Sequence, residues 1–279
     1  AAWWALTRPD VFRSVVLMGA GSLLVGVLPT YATIGAAAPA LLLVARLMQG
    51  FSTGGQYGAA ATYLSEIAEP GKRGFYASFQ FVTLIGGQLF ALLVVFTLQS
   101  TMSEEAIREW GWRLPFILGA VLAGVFILFR DVMHETAEPA GKGEDAGSLK
   151  TLFQHPRAMF VVMALSAAGA VTLYTFTTYM QKYLVNTAGM DVASASRTML
   201  IVTFAFLLLQ PLLGTLSDRI GRRTNLLIFS GGMTLFAVPL LGAIGQAQTM
   251  WSAGLLVFAA LAIMSFYTSV SGLFKAELF

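Results

Sequence analysis

Eight long apolar runs follow one another along the chain, and they constrain its fold more than any other feature of the sequence. Crossing the hydrocarbon core of a bilayer takes about twenty apolar residues, and each run is long enough to span it or nearly so. Only 11% of the residues are charged, against about 25% in an average soluble protein. We therefore predict an all-α integral membrane protein with eight transmembrane helices. The runs are approximately Val15–Ile34, Ala38–Leu64, Phe75–Leu98, Leu114–Phe129, Met159–Tyr183, Met199–Leu216, Asn225–Ile244 and Trp251–Phe274.

Lys and Arg residues are distributed unevenly between the two sides of the predicted membrane. With eight spans, both ends and alternate loops share one side, which carries twelve of the seventeen basic residues, whereas the other side carries four. Because cytoplasmic loops are enriched in Lys and Arg, we predict that both ends are cytoplasmic. The net charge of +3 is spread over short loops, so it does not indicate nucleic-acid binding.

One long hydrophilic segment, Arg130 to Arg157, separates the first four runs from the last four. Its acids, Pro and Gly are typical of a solvated linker. We predict an N-terminal bundle part at residues 1–129, a cytoplasmic linker at 130–158 and a C-terminal bundle part at 159–279. His134 and His155 both lie in this segment and the chain has no cysteine, so we predict no metal site, no cofactor and no enzymatic centre.

Arg46 is the one formally charged residue in the stretch from Leu41 to Tyr63. A charge near the bilayer centre costs between about 2.5 and 17 kcal/mol, depending on the reference state. We therefore predict that the guanidinium faces a bundle interior or an aqueous cavity, where its planar fork could bind a carboxylate. The alternative is an arginine that extends to the nearer membrane interface.

Other polar residues of this run share the helical face of Arg46. At about 100° per residue, four polar side chains fall in one arc with it. Three glycines beside the arc are spaced four residues apart, a pattern that predicts close contact with another helix. The arc contains Gln49, Thr53, Gln56 and Tyr57, and the glycines are Gly50, Gly54 and Gly58.

Three further polar stripes at helical spacing lie in other apolar runs. Hydrogen bonds between helices would explain any one of them. Together they resemble the few polar groups that are placed in the apolar walls of a ligand cavity. We predict a substrate site from these stripes and the run that contains Arg46. Its candidate residues are Arg46, Tyr57, Gln80, Tyr174, Thr178, Gln181, Tyr267 and Ser271.

The turn after the sixth run carries a motif of specific spacing, G-x-x-x-D-R-x-G-R-R. Gly214 would let a neighbouring helix approach, and Asp218 would pair with an arginine or with a helix N-terminus. A simple anchor of arginines at the cytoplasmic face would need neither the acid nor the glycines. The motif resembles the signature loop of the major facilitator superfamily and predicts a gating role. The residues concerned are Gly214, Asp218, Arg219, Gly221, Arg222 and Arg223.

A second block resembles the same family. Glu66 and Arg73 follow the second run, and Lys275 stands at the corresponding place after the last run. The resemblance implies that Glu66 and Arg73 also belong to the gate. It further implies that the eight runs are helices three to ten of a twelve-helix major facilitator fold, so we expect the chain to be an internal piece of a longer protein.

Longer blocks resemble the metabolite:proton symporter branch of this superfamily, among them ARLMQGFSTGGQYGAAATYLSE, REWGWRLPF and YTFTTYMQKYLVNTAGM. The resemblance implies import of α-ketoglutarate or a similar dicarboxylate with protons, by alternating access, in a monomer within the lipid bilayer. The chain departs from the branch at Gln56, where an acid is usual. Since no Asp, Glu or His lies centrally in any run, we predict that residues 1–279 alone do not transport.

Other functions remain open at this stage. The substrate could be another small carboxylate or zwitterion, such as citrate, shikimate, proline or betaine, because one internal arginine fits any carboxylate. A non-transporting membrane sensor would need a partner-binding element in the segment from Arg130 to Arg157, which shows only linker composition. An inactive truncated product is a further possibility.

Overall fold

The computed structural model describes residues 9–128 and 156–278, and within these ranges the regular secondary structure is entirely helical. In the parts that are described, the eight predicted apolar runs are largely helical, but the first run is interrupted at residues 28–30 and the last at residues 269–270. The predicted linker lies almost wholly outside the described ranges, so its boundaries stay a prediction. The helices are α1 (Pro9–Val27), α2 (Tyr31–Ile34), α3 (Ala37–Glu66), α4 (Arg73–Thr101), α5 (Glu104–Glu109), α6 (Leu114–Leu128), α7 (Pro156–Tyr174), α8 (Met180–Asn186), α9 (Val192–Ile220), α10 (Arg222–Gly245), α11 (Met250–Thr268) and α12 (Ser271–Leu278).

Five helical stretches of the described residues are long and apolar enough to cross a membrane, which shows a multi-pass membrane protein. Two further apolar helices, Ser14–Val27 and Gly111–Phe126, are shorter. The predicted number of eight spans is therefore not confirmed. Helix α3 has the length of a span, but its polar residues and glycines lower its hydropathy. The five stretches are Arg73–Thr101, Pro156–Asn186, Val192–Ile220, Arg222–Gly245 and Met250–Lys275.

The fold divides into two compact units. The first contains the described residues of Ala1–Tyr63 and Thr97–Ala146, and the second contains those of Leu64–Phe96 and Gly147–Phe279. Helices α1, α3 and α6 build the first unit, whereas most of α4 and helices α7 to α12 build the second.

Glycines on α1 allow the close packing of the first unit. A Cβ added at Gly19 would lie 2.9 Å from the Cβ of Ala123, and one at Gly26 would lie 2.9 Å from Cγ1 of Ile117, both on α6. Without side chains at these two positions, the two helix backbones can approach each other closely. Helix α6 is thereby fixed against α1, and this positions the α6 ring that contacts Arg46 below.

Helix α11 forms the centre of the second unit. Its residues Ala253, Val257 and Leu261 are completely buried, because α11 packs against both α9 and α10. Gly232 of α10 makes room for Ile263 of α11, since a Cβ there would lie 2.7 Å from Cγ2 of that side chain.

Polar side chains and a glycine fix the ends of three helices in the second unit. The side chain of Asp191 caps α9 by accepting a hydrogen bond from the backbone N–H of Ser194, and bonds from Ser194 lower the pKa of Asp191 below its ordinary value. Thr249 and Ser252 form a reciprocal capping box at the start of α11. Gly221, at φ +88°, ends α9 and lets α10 begin at the next residue.

Candidate functional site

Arg46 lies on α3 with its side chain exposed on the surface of the first unit. Its Nη1 donates a hydrogen bond to Oε1 of Gln49 at 3.0 Å. Its guanidinium carbon lies 5.4 Å from the ring centroid of Phe116 on α6, a cation–π distance. No carboxylate of the described residues pairs with Arg46, so its charge is not neutralised within that part of the chain.

The side chain of Gln49 is itself held by helix α1. Its Nε2 donates to Oγ of Ser22 at 3.0 Å. A Cβ at the neighbouring Gly21 would lie 2.9 Å from Cγ of Gln49 and 3.1 Å from the carbonyl oxygen of Ala45. The absent side chain of Gly21 therefore makes the space that Gln49 occupies.

Further polar residues of the predicted arc bond within α3, and a second link to α1 runs through Ser52 beside the arc. Oγ1 of Thr53 donates to the carbonyl oxygen four residues earlier in its own helix, at 2.9 Å. Oγ of Ser52, a completely buried residue, donates to the carbonyl oxygen of Ser14 at 2.6 Å, and Nε2 of Gln56 donates to the same Oγ at 3.3 Å. Tyr57 lies one residue further along α3 and is half-buried.

The glycine seam predicted on α3 has no close helix neighbour within the described part of the chain, so its packing role stays a prediction. A Cβ added at Gly50, Gly54 or Gly58 would meet no atom within 4 Å. Spacing alone marks a face where a close approach is possible, but the glycines that make such approaches in this unit lie on α1.

The second unit contains the other candidate substrate residues, at different depths. Tyr174 and Thr178 are both exposed. Tyr174 directly precedes the π-helical segment Thr175–Tyr179, and Thr178 lies within it. A π-helical distortion of this kind is frequent at functional sites. Gln181, on the following α8, donates from Nε2 to Oγ of Ser196 at 2.9 Å. These three residues follow one another along a single continuous helical stretch.

Gln80, Tyr267 and Ser271 are buried inside the second unit. The ring of Tyr267 packs directly on Gly169 of α7, where any side chain would overlap it, and its ring centroid is 4.9 Å from that of Phe229. The structure thus places two candidate residues in the first unit and six in the second. Their common substrate site stays a prediction.

The signature motif forms a contact between α9 and the N-terminus of α4, within the second unit. Oδ1 of Asp218 accepts a hydrogen bond from the backbone N–H of Gly74 at 2.8 Å, and Oδ2 accepts one from that of Phe75 at 3.0 Å. Arg222 approaches the same carboxylate at 3.2 Å. Asp218 therefore has both kinds of partner that the sequence left open, an arginine and a helix N-terminus.

Two glycines bring these helices into backbone contact. A Cβ at Gly214 would lie 2.5 Å from the carbonyl oxygen of Gly74 and 2.8 Å from Cβ of Ser78. A Cβ at Gly74 would in turn lie 2.5 Å from the carbonyl oxygen of Gly214. We name this arrangement of Asp218, Gly214, Gly74 and Phe75 the α4–α9 contact.

The other predicted gate residues surround the α4–α9 contact or lie near it in sequence. Arg219 and Lys72 line a cleft of about 370 Å³ beside Asp218. The hydrogen bond that Lys72 donates to Glu69, at 2.7 Å, raises the pKa of Lys72 above its ordinary value. The remaining residues are Glu66, Arg73 and Arg223, which are exposed, and Gly221 at the turn.

The sequence analysis missed a buried polar cluster around Gln210 of α9. Oε1 of Gln210 accepts from Oγ1 of Thr268 at 2.8 Å, and Nε2 donates to Oγ of Ser265 at 3.3 Å. All three side chains are completely buried, so the cluster ties α9 to α11. A single glutamine inside an apolar run was the available signal, since such a residue in a span needs a partner.

Thr268→Val should lower the free energy of unfolding by about 2 kcal/mol, because it removes the hydroxyl donor and leaves Oε1 of Gln210 buried without this bond. Thr234→Val is the matched control, since Thr234 is exposed and bonds only to its own helix, at the carbonyl oxygen of Ser230. We expect Thr234→Val to lower the free energy of unfolding by less than about 0.5 kcal/mol. Unfolding of the two purified variants in mixed micelles would measure both, and equal losses would contradict a role for the cluster.

Comparison with known proteins identifies relatives along almost the entire chain. The sequence model of the Major Facilitator Superfamily matches residues 10–277. The alpha-ketoglutarate permease of Escherichia coli (strain K12) is 56% identical over 273 residues, which cover 98% of this chain and 63% of that protein. A citrate-proton symporter of Salmonella typhi is 36% identical over 237 residues, which cover 83% and 53%. A proline/betaine transporter of Salmonella typhimurium is 32% identical over 241 residues, which cover 81% and 48%. The chain thus spans between about half and two thirds of the length of these curated relatives.

Proposed function

This chain belongs to the major facilitator superfamily, and we propose that it serves the import of α-ketoglutarate, or a similar dicarboxylate, together with protons. The permease with 56% identity supports this substrate class, and the relative named a citrate-proton symporter supports proton coupling. The relatives are transporters and permeases, which argues against an enzyme.

The observation that carries the proposal is the hydrogen bonding of the Arg46 guanidinium. Gln49 accepts one of its N–H groups, and a guanidinium has five such donors in a fixed fork. The other four have no hydrogen-bond partner among the residues that the structure describes. An oriented cation with donors to spare is suited to bind one carboxylate of the substrate through two parallel hydrogen bonds.

Transport would proceed by alternating access, with the α4–α9 contact as part of the gate. Two backbone hydrogen bonds and a glycine–glycine approach can form or break as one event, because they depend on the same helix separation. The contact would stabilise one of the two access states, and substrate would shift the equilibrium through its different affinity for them.

The remaining parts of the proposal concern the membrane. We place the protein, as a monomer, in a bacterial inner membrane, because its relatives are bacterial permeases and symporters. The Lys and Arg asymmetry supports cytoplasmic positions for both ends of this chain. The group that couples transport to protons would lie outside the centres of the eight apolar runs, which carry no Asp, Glu or His. Because import would be driven by protons, a protonophore should abolish uptake of the substrate against its concentration gradient.

Arg46→Lys tests the proposal. Lysine keeps the charge but not the planar fork, so we expect the KM for α-ketoglutarate uptake to rise at least tenfold, equivalent to about 1.4 kcal/mol. Uptake of labelled substrate would be measured in cells that express the complete gene product containing this chain.

Arg197→Lys is the matched control, because Arg197 is exposed near the start of α9 and has no role in the proposed site. Its KM should stay within about twofold of the parent. Competition by unlabelled citrate, shikimate and betaine would identify the substrate among the alternatives of the same branch. An unchanged KM in Arg46→Lys would show that Arg46 does not bind the substrate, and the proposal would then be wrong.

A further inference from the structure

We propose that Gln49 is a positioning residue that aims Arg46 at the substrate, through a relay that begins at Ser22 of helix α1. This inference rests on the proposed function of Arg46 and adds a residue to its site. The relay consists of two hydrogen bonds: Nε2 of Gln49 donates to Oγ of Ser22, and Nη1 of Arg46 donates to Oε1 of Gln49.

Among the described residues, Gln49 is the one hydrogen-bond partner of the Arg46 side chain, and it accepts from Nη1. Because Arg46 is exposed on its unit, its long side chain would otherwise sample many rotamers, and holding such a chain costs conformational entropy. The bond from Gln49, together with the ring of Phe116 at 5.4 Å, limits the guanidinium to one region. A substrate then meets a group that is already oriented, which favours binding.

The position of Gln49 is fixed from a second helix. Ser22 on α1 accepts from its amide at 3.0 Å, and the missing side chain of Gly21 leaves space for its Cγ. Gln49 is half-buried, so its amide has few other orientations that would satisfy both the donor and the acceptor. The orientation of Arg46 is thus set by the packing of α1 on α3.

An amide is chemically suited to this task, whereas a carboxylate is not. The amide oxygen of Gln49 can accept from Arg46 without neutralising its charge, and the amide N–H₂ can donate to Ser22 at the same time. Glutamate at this position would form an ion pair with Arg46 and compete with an anionic substrate. The neutral amide therefore keeps both the direction and the positive charge of the guanidinium available.

Uptake kinetics of variants in the complete gene product test the relay. We expect Gln49→Leu to raise the KM about fivefold with the maximal rate within twofold, and Gln49→Glu to raise it about tenfold, because its carboxylate competes with substrate. Ser22→Ala should raise the KM about threefold, whereas Ser22→Thr keeps the hydroxyl and should restore a nearly parental value.

A double variant separates positioning from simple packing. If Gln49 acts through Arg46, Gln49→Leu should add little to the KM of Arg46→Lys, since the two effects are coupled. Ser52→Ala is the matched control, because Ser52 also joins α3 to α1 but does not contact Arg46. Its KM should stay within twofold even if its thermal stability falls.

Three results would overturn the inference, and they have different consequences for the proposed substrate site. If Arg46→Lys raises the KM but Gln49→Leu and Ser22→Ala do not, the relay is wrong and the proposed substrate site is retained. If none of the three raises it, both the relay and the proposed site are wrong. A loss in Ser22→Thr as large as in Ser22→Ala would show packing rather than hydrogen bonding.

Discussion

Gly214→Val should reduce α-ketoglutarate uptake about a hundredfold. The added Cβ would lie 2.5 Å from the carbonyl oxygen of Gly74 and 2.8 Å from Cβ of Ser78. Neither neighbour is the end of a flexible side chain, so helices α4 and α9 must move apart. This separation would break the two backbone hydrogen bonds of Asp218. Overpacking of this kind costs up to about 3 kcal/mol, which changes the ratio of two access states about a hundredfold.

The same substitution at Gly231 is the control for the α4–α9 contact. Gly231 lies on α10, is exposed, and has no atom within 4 Å of an added Cβ. Gly231→Val should therefore leave uptake within about threefold of the parent. The amount of each variant in the membrane must be measured, so that a loss of folding is separated from a loss of gating. Uptake by Gly214→Val that matches Gly231→Val would show that the close approach is not needed.

Hydropathy was sufficient to predict the membrane class and the positions of the helices, because an apolar run long enough to span a bilayer has few other stable structures. The same measure is weaker for α3. This helix has the length of a span, 30 residues, but it carries Arg46 and its polar neighbours. The charge of Arg46 and the polar residues around it lower the mean hydropathy of this helix, so hydropathy alone does not identify it as a span.

Contacts between distant segments were only partly predictable. The motif indicated that Asp218 needs a partner, but Gly74 is 144 residues away in the sequence, and no local pattern identifies it. The glycines illustrate the same limit. Regular spacing singled out Gly50 and Gly54, where an added Cβ would meet no atom within 4 Å, whereas Gly19 and Gly26 make the close approaches to α6. Spacing defines a face of a helix, and only the fold decides what packs on that face.

Polar contacts between helices were harder to predict than those within one helix. The arc of Arg46 predicted that Gln49 would lie on the same face, and the structure joins the two by a hydrogen bond. The cluster of Gln210 was missed because its partners, Ser265 and Thr268, come from another helix. Within one helix the period of 3.6 residues places side chains, but between helices the register of packing does so.

Asp218→Asn should reduce uptake about thirtyfold, because the aspartate uses both oxygens and its charge. Oδ1 accepts from Gly74 and Oδ2 from Phe75, so an asparagine would turn its amide N–H₂ towards one of two backbone donors. It would also lose the charge that faces Arg222 at 3.2 Å. Hydrogen bonds to charged groups contribute about 1.5–3 kcal/mol, and about 2 kcal/mol corresponds to a thirtyfold change in an equilibrium.

Asp191→Asn is the control, and a reporter cysteine shows whether the α4–α9 contact itself opens. Asp191 caps its own helix through one bond to Ser194, and Asn caps about as well as Asp, so uptake should change less than threefold. Residues 1–279 contain no cysteine, so Ser217→Cys, at a completely buried position next to Asp218 in the sequence, can serve as the reporter once any cysteine elsewhere in the complete gene product is replaced by serine. If the α4–α9 contact is a gate, Asp218→Asn should raise the labelling rate at this position by the factor that uptake loses. Slow labelling combined with lost uptake would instead place the role of Asp218 in another step of transport.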